Sequence, residues 1–179
     1  CAGTYAENIT IGKSRDIRGA NYGVSGCATR GAESLIQGEF TIGTDGITVD
    51  GFEFSGANAA IASTTGATVR SNITIRNNYL HSTTAQIPVR HGLGSGGGVG
   101  SSNWNVSNNK ISDIQFANAT AIAVFNVTGA TINNNCIEHT NASFGGRRGI
   151  NADGLQTATI NNNTINLGGS GNTNTDGNW

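Results

Sequence analysis

Asp113, Glu138, His139 and Arg147 are the side chains of this 179-residue chain best placed to do chemistry. Asp113 and His139 stand 26 residues apart, and Glu138 adjoins His139. A longer loop, 141–148, follows and carries Arg147, with Asp153 soon after. A carboxylate that orients an imidazole, beside a guanidinium that neutralises an acidic substrate, suits proton abstraction next to a carboxylate. That is lyase or epimerase chemistry. The competing reading is a set of ordinary polar loop residues with a solvated Asp–His contact. His81 and His91 have no evident partner and read as surface residues.

Other motifs exclude more than they offer. Gly12-Lys-Ser14 ends like a phosphate loop, but the glycine needed five residues earlier is Glu7. Gly92-Leu-Gly-Ser-Gly-Gly97 matches G-x-G-x-x-G, yet 101–106 continues as strand rather than helix, so a loop is the better account. No Cys/His spacing fits a zinc site, and no metal or other cofactor is implied. Charged residues are 12% of the chain and the formal net charge is −1, without the basic stripe a nucleic-acid binder needs. No apolar run approaches the roughly 20 residues of a membrane span.

The elements that must position these residues announce themselves by repetition. Segments 47–54, 73–80, 104–111, 130–137 and 158–165 share one phrase. Their third residues are Val49, Ile75, Val106, Ile132 and Ile160, at steps of 26, 31, 26 and 28 residues. A repeat of that length is one supersecondary unit stacked on itself. Within each phrase apolar and polar residues alternate, which is strand periodicity. Asn-Asn then marks a sharp bend, because Asn tolerates the left-handed region and bonds locally to main chain.

Aligned, the phrases put Asn78, Asn109, Asn135 and Asn163 in one column, spaced for an amide ladder along stacked strands. Phe54, Leu80, Ile111, Ile137 and Ile165 form an inward column. A third strand per coil is visible at 121–124 and 149–152, with Ile61 and Val89 as equivalents of Ile122 and Ile150. Three short strands per coil make a three-sided parallel β-helix. The outward columns hold few acids. Asp50 lies under Arg76 and should form a modest surface ion pair. Tyr79 and Trp104 are candidate sugar platforms, although Trp104 aligns with an inward column. The outward Thr48, Thr74, Asn105, Thr131, Thr159 column fits strand packing better than ice binding, because its neighbouring column is charged and irregular.

Cys1 and Cys27 lie 26 residues apart, close to one repeat, which makes them the disulfide candidate and leaves Cys136 over. The disulfide and the Asn/Thr/Gly-rich composition favour an extracellular or cell-surface setting.

The opening segment, Ala2-Gly-Thr-Tyr-Ala-Glu-Asn-Ile-Thr-Ile-Gly-Lys-Ser14 followed by Ile17-Arg-Gly-Ala20, resembles the first coils of the right-handed parallel β-helix family. Its members include pectate lyases, polygalacturonases, alginate epimerases, phage tailspikes and surface proteins of the same pectate-lyase-like solenoid build. The resemblance implies an all-β, right-handed, three-sided solenoid of about six to seven coils, with residues 1–179 as a single domain. It is specific for fold and not for function. The usual helix capping the first coil is absent and 168–179 does not read as an apolar cap, so the chain reads as part of a longer or secreted precursor.

Two function classes follow. The first is a non-catalytic extracellular β-helix, structural or adhesive, open to end-to-end self-association into a filament or sheath. Its partners would be copies of itself or neighbouring surface proteins. The second is a lyase, epimerase or hydrolase on an acidic polysaccharide, centred on Asp113, Glu138, His139 and Arg147, or a carbohydrate-binding module without turnover. Ca²⁺ would enter only with the lyase alternative.

Overall fold

The computed structural model describes residues 1–63, 68–92, 99–139 and 147–168. Among them there is no helix, and short strands run around a three-sided parallel solenoid. The three faces are sheets of seven, six and six strands, each taking one strand per coil. A two-stranded extra, Ser101–Ser102 on Val127–Thr128, marks one corner. The solenoid has about five turns, slightly fewer than the six to seven coils expected. The outermost strands are short and exposed, Thr164–Asn166 throughout its length.

Register follows the repeat. Val49 pairs with Ile75, Ile75 with Val106, Val106 with Ile132, and Ile132 with Ile160. Phe54, Leu80, Ile111, Ile137 and Ile165 stack in the first sheet. Ile61, Val89, Ile122 and Ile150 stack in the second. Nearly all of these are fully buried within the central coils. Each such Val, Leu or Ile removes enough apolar area from water to contribute about 1.5–3 kcal/mol. Side chains alternate across a strand, so the same parity that fills the core sends Glu53, Tyr79 and Lys110 outward.

The bend between third and first sheets is made by the Asn-Asn pairs. Its first residue is left-handed in every coil: Asn77, Asn108, Asn134 and Asn162 have φ of 57°, 56°, 55° and 53°. Its second residue carries the ladder. The Asn78 side chain donates to Asn109 Oδ1 at 3.1 Å, Asn109 to Asn135 at 3.1 Å, and Asn135 to Asn163 at 2.9 Å. Each amide also donates to a main-chain carbonyl, Asn109 to Ile75 at 2.9 Å. Asn78, Asn109 and Asn135 are fully buried, so these bonds satisfy groups that water cannot reach.

Residues 19–33 leave the coil and run along this bend as a strap. Gly19 N–H donates to the Asp50 carbonyl, Asn21 N–H to Gly51, and Gly26 N–H to Asn108. Arg30 donates to the Asn77 carbonyl at 2.6 Å and forms a two-pronged pair with Glu33 at 2.6 and 3.0 Å. The Asn21 side chain closes the neck by bonding Gly31 and Ala32. At the tip Cys27 is joined to Cys136, with Cα atoms 5.9 Å apart. The expected Cys1–Cys27 pairing is therefore wrong, and Cys1 is a free, exposed thiol. The chain between Cys1 and Cys27 is not one regular coil: the strap carries Cys27 along the solenoid, past the intervening coils, to Cys136.

The strap also changes Asp50. It is not part of a surface pair: the residue is fully buried, and its carboxylate accepts from Arg76 at 2.7 Å, Asn77 at 2.8 Å and the Gly23 N–H at 3.1 Å.

Candidate functional site

The register places Asp113 beside His139, since Ser112 pairs with Glu138. The Asp113 N–H donates to the Glu138 carbonyl at 3.2 Å. The side chains then diverge. Asp113 occupies a left-handed bend position with φ 48° and is exposed. Glu138 points outward and pairs with Lys110 at 3.4 Å. His139 turns inward and is fully buried, with neither ring nitrogen hydrogen-bonded. Arg147 is also buried and donates to the Ile114 carbonyl at 3.3 Å.

Burial pushes the His139 pKa down to about 4, and the Arg147 guanidinium pushes the same way, against a smaller opposite pull from Asp113. Burial also lowers Arg147, with Asp113 opposing. Asp113, His139 and Arg147 thus feel one another's charge, but the acid is exposed while the imidazole and guanidinium are buried, and Glu138 pairs outward with Lys110. A neutral imidazole with no exposed face cannot take a proton from a polymer lying outside the solenoid. Loop residues 140–146 lie outside the described residues, as do 93–98 of the glycine-rich motif and the tail 169–179.

His91 is not a surface residue. Val89–His91 is a strand, so parity turns residues 89 and 91 inward. The His91 ring stacks on Trp104 with centroids 4.2 Å apart, and its Nδ1 lies 3.1 Å from the Ser63 hydroxyl. Burial, then the charge of Arg70, lowers its pKa to about 4. Trp104 is in the core, with its indole N–H on the Arg70 carbonyl at 2.7 Å, and is no sugar platform.

The outward face of the first sheet holds the richest polar array among the described residues. One column is Glu53, Tyr79, Lys110, and the next is Ser55, His81, Ser112, Glu138. His81, expected to be without a partner, bonds Glu53 through Nε2 at 2.6 Å. Its ring stacks on Tyr79 at 4.3 Å, and the Lys110 ammonium lies 5.5 Å from the Tyr79 centroid. Tyr79 is thus flanked by an imidazole and a cation rather than offering a bare platform. Between this face and the strap lies a groove of about 230 Å³, lined on the sheet side by Glu53, Tyr79 and Lys110 and on the strap side by Ala28, Arg30 and Glu33. The aligned columns placed Glu53, Tyr79 and Lys110 together. The diagonal contacts between columns needed a second alignment two positions on, and the strap wall had no signal in the repeat.

Among the described residues no group of His, Cys, Asp or Glu is arranged to hold a metal ion, and no helix is long and apolar enough to cross a membrane. Compared with known protein families, curated proteins and solved structures, the chain matches none.

Proposed function

We propose that this solenoid is an extracellular structural or adhesive element that associates end to end, and that it does not cleave acidic polysaccharide at the Asp113, Glu138, His139, Arg147 cluster. One observation carries the proposal: Ile165 continues the buried column of Phe54, Leu80, Ile111 and Ile137, yet is 39% exposed. Ile160 and Ile150 in the same coil are only half-buried. At the opposite end Tyr5, Ile9 and Ile17 are half-buried on the same three faces. A coil from a second copy, stacked in parallel register, would bury both sets and pair both groups of strand edges. Unlike ends in contact do not close, so the product is a fibre. Negative-stain electron microscopy should show stacks that lengthen with concentration, shortened by Ile165→Lys. Particles of single-chain size at every concentration would overturn the proposal.

A second reading, carbohydrate binding, draws support from the polar groove beside Tyr79. Titration with alginate and pectin fragments tests it, and release of unsaturated uronate, abolished in His139→Ala, would restore the lyase alternative.

A further inference from the structure

We infer that Ser82, His81 and Glu53 form a serine-nucleophile relay that hydrolyses short-chain acyl esters, independently of any end-to-end association. The Ser82 hydroxyl lies 3.1 Å from His81 Nδ1, and His81 Nε2 lies 2.6 Å from Glu53 Oε1. One tautomer satisfies both contacts: Nε2–H donates to the carboxylate, leaving the Nδ1 lone pair to accept from the serine. That is the order nucleophile, base, orienting acid on which acyl transfer depends.

Two features of the backbone set Ser82 apart from an ordinary surface serine. The pairing of strand Tyr79–Thr83 with Glu53–Gly56 slips between His81 and Thr83, so Ser82 is an inserted, bulged residue. Bulges re-aim side chains and occur beside active sites. Ser82 also has φ 49°, in the left-handed region. Asp113 shares that conformation one coil on, so the bend itself is a property of the corner, and only Ser82 combines it with the bulge and the relay. Stacking on Tyr79 fixes the imidazole plane.

The chemistry balances without a cofactor. Ser82 Oγ attacks the ester carbonyl and forms an O–C bond while its proton passes to His81 Nδ1. The carbon–alkoxy bond breaks, and the departing alcohol takes that proton. Water then attacks the acyl-serine, giving its proton to Nδ1, and Oγ leaves with the proton returned. The net change is ester plus water to acid plus alcohol. Glu53 stabilises the transient imidazolium and is a positioning residue. The in-register neighbours of His81 are Ser55 and Ser112, and Asp113 stands level with Ser82. These small or polar groups suit a short acyl chain.

The test uses the full chain with an alkyl fluorophosphonate and with 4-nitrophenyl acetate. The fluorophosphonate should modify Ser82, read by peptide mass spectrometry. Ser82→Gly tolerates the positive φ and lacks only the hydroxyl, so it should fold as wild type yet lose at least about 100-fold in ester hydrolysis. Glu53→Gln should lower kcat at least about tenfold at similar KM. An unmodified Ser82, or equal hydrolysis by Ser82→Gly, would overturn the inference.

Discussion

Asn109 shows how much a single side chain carries in this solenoid. Its amide donates to Ile75 and Asn135 and accepts from both the main chain and side chain of Asn78. Asn109→Ala removes these bonds and strands a buried carbonyl and peptide N–H. The expected loss is about 2–4 kcal/mol, since each unsatisfied buried group costs about 1–3 kcal/mol. Urea unfolding checks it, with the half-exposed Asn133→Ala as control; equal losses would show that the ladder adds nothing. The buried imidazoles make a second prediction. His91 and His139 fall from 6.5 to about 4 in the folded chain, so between those values the unfolded chain binds more protons. Their stabilising contribution is complete above pH 6.5 and is lost as pH falls towards 4. At about 1.4 kcal/mol per pH unit, each accounts for roughly 3 kcal/mol. Melting temperature should drop across that window, and less steeply in His91→Phe. A variant as acid-sensitive as wild type would sink that assignment.

At the scale of elements the strap is the decisive piece. The disulfide closes a loop with a sequence separation of 109, and constraint of the unfolded chain by a loop near 100 residues is worth about 4–5 kcal/mol in the chain-entropy model. Cys27→Ser should therefore unfold at clearly lower denaturant, and hydrogen exchange should rise at Gly26 and Asn21. Gly26 packs flat on the bend: a Cβ there would collide with the Asn78 carbonyl oxygen and the Lys110 peptide nitrogen. Gly26→Ala should lift the strap even with the disulfide intact, opening the groove that Arg30 and Glu33 wall off. Unchanged exchange at the peptide N–H of position 26 in that variant would show that the backbone contact is dispensable. The strap is also why Asp50, alone among the described outward acids, is sealed from water.

For the molecule as a whole, the core columns run along the axis while the polar chemistry stays on the faces. A parallel solenoid buries its interior by stacking, and Ile165, the last of its column among the described residues, is 39% exposed. If copies stack there, Ile165→Lys should shorten the assemblies seen by sedimentation without altering the ester chemistry expected at Ser82. Loss of both together would point to unfolding instead.

The repeat alone determined the fold class, the inward columns at Val49–Ile160 and Phe54–Ile165, and the Asn ladder, because strand parity and fixed coil length carry register directly into space. It also matched Asp113 with His139 in height along the solenoid. Only tertiary structure decided where those two side chains point, since a corner residue can turn in or out while keeping its level. Tertiary structure likewise chose Cys136 over Cys1 for Cys27, and brought Glu53, His81 and Ser82 into one relay. A strap that departs from the repeat and a one-residue bulge both break the periodicity, and periodicity was the signal from which the rest was read.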